Sequence, residues 1–467
     1  MARTTRKQLK IGLAAYGTGW DPDAWRLPEA TNSGLIDPSV IADLAATAER
    51  GKLDYLFAGS SLATEPNVLS RIFRWDSAVY AGYAAARTEH VGFLVTYNSS
   101  FEHPYHVARQ LATLDRFSHG RAAINTVFGI DRAGGPTENF KGFAVPTEES
   151  KYRRAEEFTE ILYHLLYDSW DADFLLDDKE SGVLVKPGTW HEIGAEGEFF
   201  HVRGPLNVPP PVQNHIPNVQ VGESEASLDY GARFAQARFS PYYGLKEGKL
   251  RYAEQKGRVK EAGGDPEKFL VLPGINFYLA GTSREARAKY RQILAFQQNV
   301  ELPKVFVAAL DLDVPADQVQ PHARLQDVLG SAKLTQESLE QALTAEVSAN
   351  PPPLRRHLNM STDHAQVARD VLQALGDDED VRVGDLFRVV QKNRASLGQF
   401  VGNPREFADW FEENLEESVL DGVQLFPPYH RGPADFFVDH VVPELQRRGI
   451  FRQEYESARL EENLGTV

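Results

Sequence analysis

The stretch Val221-Gly222-Glu223-Ser224-Glu225-Ala226-Ser227 has the residue types of an anion site. An apolar strand ending in glycine lets a ligand approach the backbone. Ser224 then stands where a serine caps a helix, and free N–H groups and hydroxyls at a helix N-terminus hold a phosphate well. The same pattern also makes an ordinary N-cap, and Glu223 and Glu225 oppose an anion. Thr96-Tyr97-Asn98-Ser99-Ser100 ends one strand and Asn125 lies near the end of the next. Neutral donors and acceptors there suit the amide-like edge of a ring ligand, although Thr and Asn are also common turn residues. Lys151-Tyr152-Arg153-Arg154 opens a helix after a long loop, so Tyr152 could reach a ligand or simply pack.

Aromatic residues gather where strands end. Tyr16, Trp20 and Trp25 follow the first strand and Phe57 ends the second. Most aromatics are core, but at the ligand-bearing edge of a barrel they build pocket walls. His103 and His106 have helical spacing, yet two ligands with no carboxylate nearby make a weak metal signal, and no metal is expected. His191, His201 and His215 read as solvated or structural. The sequence lacks a Ser–His–Asp order, a P-loop and a GxGxxG; Gly129, Gly134 and Gly135 follow a strand without that spacing.

The elements that must position these groups alternate. Lys10 to Tyr16, Leu53 to Ala58, Val91 to Thr96 and Ala122 to Val127 read as strands. Helices are expected after Asp37-Pro38, over roughly Leu69 to Ala86, from Pro104 to Phe117 and from Glu149 to Tyr167. In Leu111 to Phe128 a helix stops on Ser118-His119-Gly120-Arg121 and feeds a buried strand at once, the repeating unit of a parallel α/β fold. Strands at Asn218 to Val221, Leu270 to Ala280 and Gly422 to Phe426 continue the rhythm, with helices over Ser224 to Ala235, Ser283 to Gln297, Pro404 to Glu416 and Ala434 to Arg448. Residues 171–217 and 300–360 break it and read as excursions, the second containing Asn350-Pro351-Pro352-Pro353. About eight βα units with two insertions and a C-terminal extension give one (β/α)8 barrel domain over 1–467, with a doubly wound sheet as the alternative.

Composition narrows the function. A chain of 467 residues with 42% hydrophobic and 25% charged residues has ample material for a large core. The net charge of -16 argues against a nucleic-acid partner. No apolar run is long enough for a membrane span, and the basic N-terminus is followed by no apolar signal segment. The absence of cysteine removes disulfides, thiolate metal sites and thiol catalysis and fits a cytoplasmic protein.

Several segments share wording with a known family: Ala48-Glu49-Arg50-Gly51-Lys52 with Asp54, Pro104-Tyr105-His106-Val107-Ala108-Arg109, Ala112-Thr113-Leu114-Asp115, Val202 to Pro209, and Phe437 to Gln446. In these the chain resembles the flavin-dependent monooxygenases typified by nitrilotriacetate and dibenzothiophene-sulfone monooxygenases, in the bacterial-luciferase-like group. The similarity is strongest from Lys10 to Gln297 and from Val401 to Gly465. It implies a (β/α)8 barrel that takes reduced FMN from a separate NAD(P)H:flavin reductase and uses O2 on a small-molecule substrate. A homo-oligomer is expected. By resemblance Thr96, Tyr152 and Ser224 fall on flavin-binding positions, with Asn125, Gly222, Glu223 and Ser227 beside them.

The chain departs from the family's pattern at four places. Ser60 stands where an aspartate touches flavin, and Glu148 replaces a histidine four residues before the tyrosine. Phe128-Gly129 ends a segment that normally closes on a hydroxyl, and Trp20 replaces a histidine. These changes make the pocket more apolar, so Tyr16, Trp20, Phe57 and Phe128 are expected to line it and the substrate to be an apolar aromatic or halogenated xenobiotic. A deazaflavin-dependent oxidoreductase of the same fold and a flavin-binding barrel without turnover are the alternatives.

Overall fold

The computed structural model describes residues 7–64, 72–129, 136–140, 145–296, 304–310, 312, 315, 318–330, 334–349, 364–376, 380–393 and 397–466. Eight parallel strands close into a barrel: β1 (Lys10–Ala14), β2 (Tyr55–Ala58), β3 (Gly92–Asn98), β4 (Ala122–Val127), β5 (Asn218–Val221), β6 (Ala237–Ser240), β7 (Leu270–Leu279) and β8 (Gly422–Phe426). Each pairs with its neighbour, and β1 closes the ring against β8 with Lys10 opposite Gly422 and Leu13 opposite Leu425. The ring excludes a doubly wound open sheet. A further strand, Gly398–Gly402, pairs with the upper half of β7. Helices α1 (Ser39–Arg50), α2 (Ser77–Ala85), α3 (Pro104–Phe117), α4 (Lys151–Tyr167), α5 (Glu225–Phe234), α6 (Gly244–Glu261) and α7 (Ser283–Leu294) belong to the same alternation.

Period-two alternation fills the ring. Tyr55, Leu94, Ala123, Val219, Ala237, Leu270 and Leu272 pack together with Leu460 and Leu464 of the C-terminal helix Leu460–Leu464. Gly12 makes room, because a Cβ there would sit 2.4 Å from the Tyr55 ring and 2.5 Å from Gln424 Oε1. The barrel is therefore solid at its lower end. Above it, Ala14, Leu397 and Phe426 form the next packed group, joined by the half-buried Tyr16, Trp20, Phe57 and Phe239.

Three carboxylates of the family wording work below this plug. Glu49 accepts the N–H groups of Glu89, His90 and Val91 at 2.8, 2.5 and 3.0 Å. Asp115 accepts those of Val212 and Gln213 at 2.6 and 3.1 Å. Asp54 accepts the Ile11 N–H at 2.6 Å and a hydrogen bond from Arg452, whose guanidinium also donates to Asn463 O at 2.9 Å. This ion pair clasps the C-terminal segment to the barrel floor.

Two expectations need correction. Helix α2 begins at Ser77, not Leu69, because Asp76 caps it, accepting the N–H groups of Ala78 and Val79 at 3.1 and 3.0 Å; residues 65–71 lie outside the described residues. Helix α1 ends at Gly51, whose φ is -80°, and Lys52 takes the positive φ, 58°. Gly51 is needed for space, since a Cβ would meet Val438 at 2.5 Å. The second excursion contains several helices among its described residues and runs past 360. Helices Gln336–Ala349, His364–Leu375 and Val383–Asn393 contribute to a hydrophobic cluster with Tyr278 and Tyr290. Asn350 to Pro353 lie outside the described residues. The first excursion folds as two hairpins, Leu175–Asp178 with Val183–Val185 and Ala195–Glu196 with His201–Val202.

Removing one partner of a buried ion pair leaves an uncompensated charge, which costs about 3–5 kcal/mol. Arg452→Met should lower the unfolding free energy by about that amount in urea titrations. Adding Asp54→Asn should recover part of the loss, because the two changes share one interaction.

Candidate active site

The C-terminal ends of the strands carry the groups singled out above. On β3, Thr96 Oγ1 donates to Ala58 O at 3.1 Å and accepts from Asn125 Nδ2 on β4 at the same distance. Ser77 of α2 holds the Thr96 peptide, accepting its N–H at 3.2 Å and donating to its carbonyl at 3.0 Å. Thr96 and Asn125 are directly opposite in register, so this polar pair is fixed by the sheet itself. Ser60 lies half-buried in the loop after β2.

Ser224 caps α5, its Oγ accepting the Ser227 N–H at 3.3 Å. The same Oγ lies 2.6 Å from Tyr152 Oη at the start of α4. Two hydroxyls far apart in sequence thus meet at a helix N-terminus whose first N–H groups have no intrahelical acceptor. Gly222 is required in the turn: its φ is 135°, and a Cβ would lie 2.3 Å from Ser227 Oγ. Ser227 is buried, accepting from Gln220 Nε2 at 2.6 Å. Glu148 sits before α4 and pairs with Lys151 at 2.8 Å.

Opposite this polar side stands an aromatic wall. Tyr16 lies 5.1 Å from Trp20, 6.3 Å from Phe57 and 6.4 Å from Phe426, and Trp20 lies 4.6 Å from Phe426. The loop after β1 is stitched to that after β8 through Trp20 N–H to Pro427 O at 2.8 Å and Asp21 N–H to Pro428 O at 3.0 Å. The Arg74 guanidinium stacks 4.6 Å from the Tyr16 ring centroid. It also borders a cavity of 570 Å³ walled by Leu35, Ile36, Leu62, Ile72, Phe73 and Trp75.

Phe128 is placed elsewhere. It packs 4.9 Å from Tyr152 and 5.2 Å from Tyr230, in a cluster apart from Tyr16, Trp20 and Phe57. Alternation along β4 explains the separation, since Asn125 turns to the barrel interior and Phe128, three residues on, turns out toward α4 and α5. His103 caps α3, Nδ1 accepting the Tyr105 N–H at 3.3 Å, with Phe200 5.5 Å away. No group of three or more metal-ligating side chains occurs among the described residues.

Sequence reasoning missed Phe239, Phe426, Arg74 and, above all, Arg238. Arg238 is buried in β6, and its only signal was a cation inside a four-residue buried strand.

The sequence profile of the luciferase-like monooxygenases matches residues 20–372. The chain belongs to that family. It is accordingly an oxidoreductase of the monooxygenase type. It is 32% identical over 465 residues to the N-acetyl-S-(2-succino)cysteine monooxygenase of Bacillus subtilis (strain 168), covering 98% of this chain and 97% of that protein. It is also 32% identical over 472 residues to nitrilotriacetate monooxygenase component A of Aminobacter aminovorans, covering 98% and 96%. The crystal structure of a long-chain alkane monooxygenase superposes with a TM-score of 0.76 at 22% identity, covering 98% of this chain and 96% of that one. That last likeness concerns the fold.

Gly222→Ala combines a positive φ with a steric clash. It should destabilise the fold by about 1–3 kcal/mol, read as a lower midpoint in urea. A midpoint equal to that of the unaltered chain would mean that the turn relaxes freely.

Proposed function

We propose that this chain is the oxygenase component of a two-component monooxygenase that binds reduced FMN and acts on a small, apolar aromatic or halogenated substrate. The observation that carries this reading is the contact of Tyr152 Oη with Ser224 Oγ at the α5 N-terminus, above the Thr96–Asn125 pair. Asn125 lies opposite Val219 on β5, three residues below Gly222. At about 3.3 Å per residue the two polar groups are ~10 Å apart along the barrel, a span suited to a ring, a sugar-alcohol chain and a phosphate.

The donor set fits that cofactor. Helix N–H groups and two hydroxyls face the phosphate, and a neutral amide and hydroxyl face the polar edge of the ring. Bound FMNH2 supplies the electrons for activating O2. The chain's own residues position the ring, and Tyr16, Trp20 and Phe57 exclude water and offer flat apolar surface to the substrate. The relative from Aminobacter aminovorans is named as a component A, which supports a separate NAD(P)H:flavin reductase as partner, in the cytoplasm where NAD(P)H is made.

The test is oxygen uptake by the chain with FMN, a flavin reductase and NADH, with and without candidate substrates. Substrate-dependent uptake is expected. Tight deazaflavin binding with negligible FMNH2 binding would replace this reading with a deazaflavin oxidoreductase. Peroxide release that no substrate alters would indicate a flavin-binding barrel without turnover.

Two variants probe the two ends of the site. Ser224→Asp sets like charge against the phosphate and should weaken flavin binding on the order of tenfold or more; unchanged affinity in the folded variant would refute the placement. Trp20→Ala should cut kcat/KM for an apolar aromatic substrate roughly tenfold while FMNH2 affinity stays near normal. A lowered melting temperature with unchanged kinetics would leave Trp20 a purely structural residue.

A further inference from the structure

The β5–α5 turn has two glutamates beside its anion-binding side, and a carboxylate there would repel a phosphate. Both are drawn away. Glu225 pairs with Arg258 on the surface at 2.6 Å. Glu223 turns beneath the turn, where Oε2 accepts from Tyr243 Oη at 2.5 Å and Oε1 lies 3.4 Å from Arg238 Nη2.

Arg238 organises this underside. Its Nη1 donates to Gln220 Oε1 at 2.8 Å and to Ser227 O at 3.1 Å, and its Nη2 donates to Gly222 O. One guanidinium therefore holds a carbonyl on each flank of the turn. Gly231 leaves the room for it, since a Cβ there would lie 2.9 Å from Nη1 and 2.9 Å from Gln220 Oε1. Carbonyl oxygens carry partial negative charge. Drawing the Gly222 carbonyl down onto a cation removes it from the side where the helix N–H groups point. The Arg238 side chain is only 1% exposed, and its one carboxylate partner among the described residues, Glu223, is 18% exposed. Burial lowers the pKa of the guanidinium from its ordinary value. A desolvated cation with one imperfect counter-ion gains from a second anion across the turn.

We propose that Arg238 is a positioning residue of the phosphate site. It acts through the Gly222 and Ser227 peptides without touching the phosphate, and Glu223 competes with the phosphate for its charge. The inference rests on the reading that the turn binds the FMN phosphate.

Riboflavin shares the ring and side chain of FMN but lacks the phosphate, so the FMN-to-riboflavin affinity ratio isolates this site. Equilibrium binding of both oxidised flavins, followed by fluorescence quenching at fixed salt, reads it without turnover. The unaltered chain should prefer FMN. Arg238→Gln should reduce FMN affinity on the order of tenfold and leave riboflavin affinity within about twofold. Glu223→Gln should raise FMN affinity roughly threefold, with riboflavin again unchanged. Opposite shifts of one ratio are a signature that loss of packing does not produce, because damage to the fold weakens both flavins together. Equal losses for both flavins in Arg238→Gln would overturn the inference. If that variant does not fold, Glu223→Gln decides alone: an unchanged or lowered ratio overturns the inference and a raised one supports it. An unaltered chain with no preference for FMN removes the phosphate-site reading, and the inference falls with it.

Discussion

Eight strands closed into a ring enclose a fixed space that side chains must fill, and their sizes decide where a ligand can be held. Here the filling is uneven along the axis. Tyr55 and Gln424 occupy the level that Gly12 leaves open, and Leu460 and Leu464 seal the floor. Toward the strand ends the interior passes to half-buried aromatics that still present surface. Within the barrel, room for a ligand therefore lies toward the end where the α-helices begin and their N–H groups point. The plug below and the open helix terminus above are two consequences of one arrangement of residue sizes.

That arrangement separates stability from chemistry. Glu49, Asp54 and Asp115, all in segments of shared wording, spend their oxygens on backbone N–H groups, the Gln213 amide or Arg452 at the lower end. At the upper end the interior polar pair, Thr96 and Asn125, is a hydroxyl and an amide, and the charged Arg74 stacks on the Tyr16 ring. Neutral donors suit a site whose reactivity comes from a cofactor, because fixed charge near a reduced ring would bias its protonation. The molecule carries a net charge of -16, and an anionic cofactor is accommodated only where local dipoles outweigh that field.

Much of the architecture was legible because it is local. Period-two runs, Asp and Ser caps and the stop at His119 and Gly120, both at positive φ, mark the βα units directly. Ser224 was readable as a cap for the same reason. Its meeting with Tyr152 was not, since 72 residues and the whole first excursion separate them. Helix α2 was misjudged because apolar residues before Asp76 continue a helical pattern that the cap interrupts. Phe128 was grouped with Tyr16, Trp20 and Phe57 by composition, whereas its face is set by a parity along β4 that the structure fixes. Arg238 was visible only as an oddity, because its partners lie on the preceding strand, the turn and a helix.

The two sides of the site are also built to different stiffness. The aromatic wall is held by backbone bonds between the loops after β1 and β8, and by buried His430, whose Nε2–H donates to Tyr16 O. Burial depresses the His430 pKa from 6.5 to about 4, so the ring stays neutral and keeps this bond across the neutral range. Its folded value lies below its unfolded one. The imidazole therefore opposes folding only as pH falls through 6.5, where the unfolded chain takes up the proton first, and the loss is complete near pH 4. Above that window His430 stays neutral. The opposite side has a different character: Tyr152 and Ser224 meet through rotatable hydroxyls at a helix end, which can turn from each other to a ligand without moving the backbone. The apolar wall is thus fixed by backbone bonds, while the polar edge facing it keeps the freedom of two hydroxyl rotors.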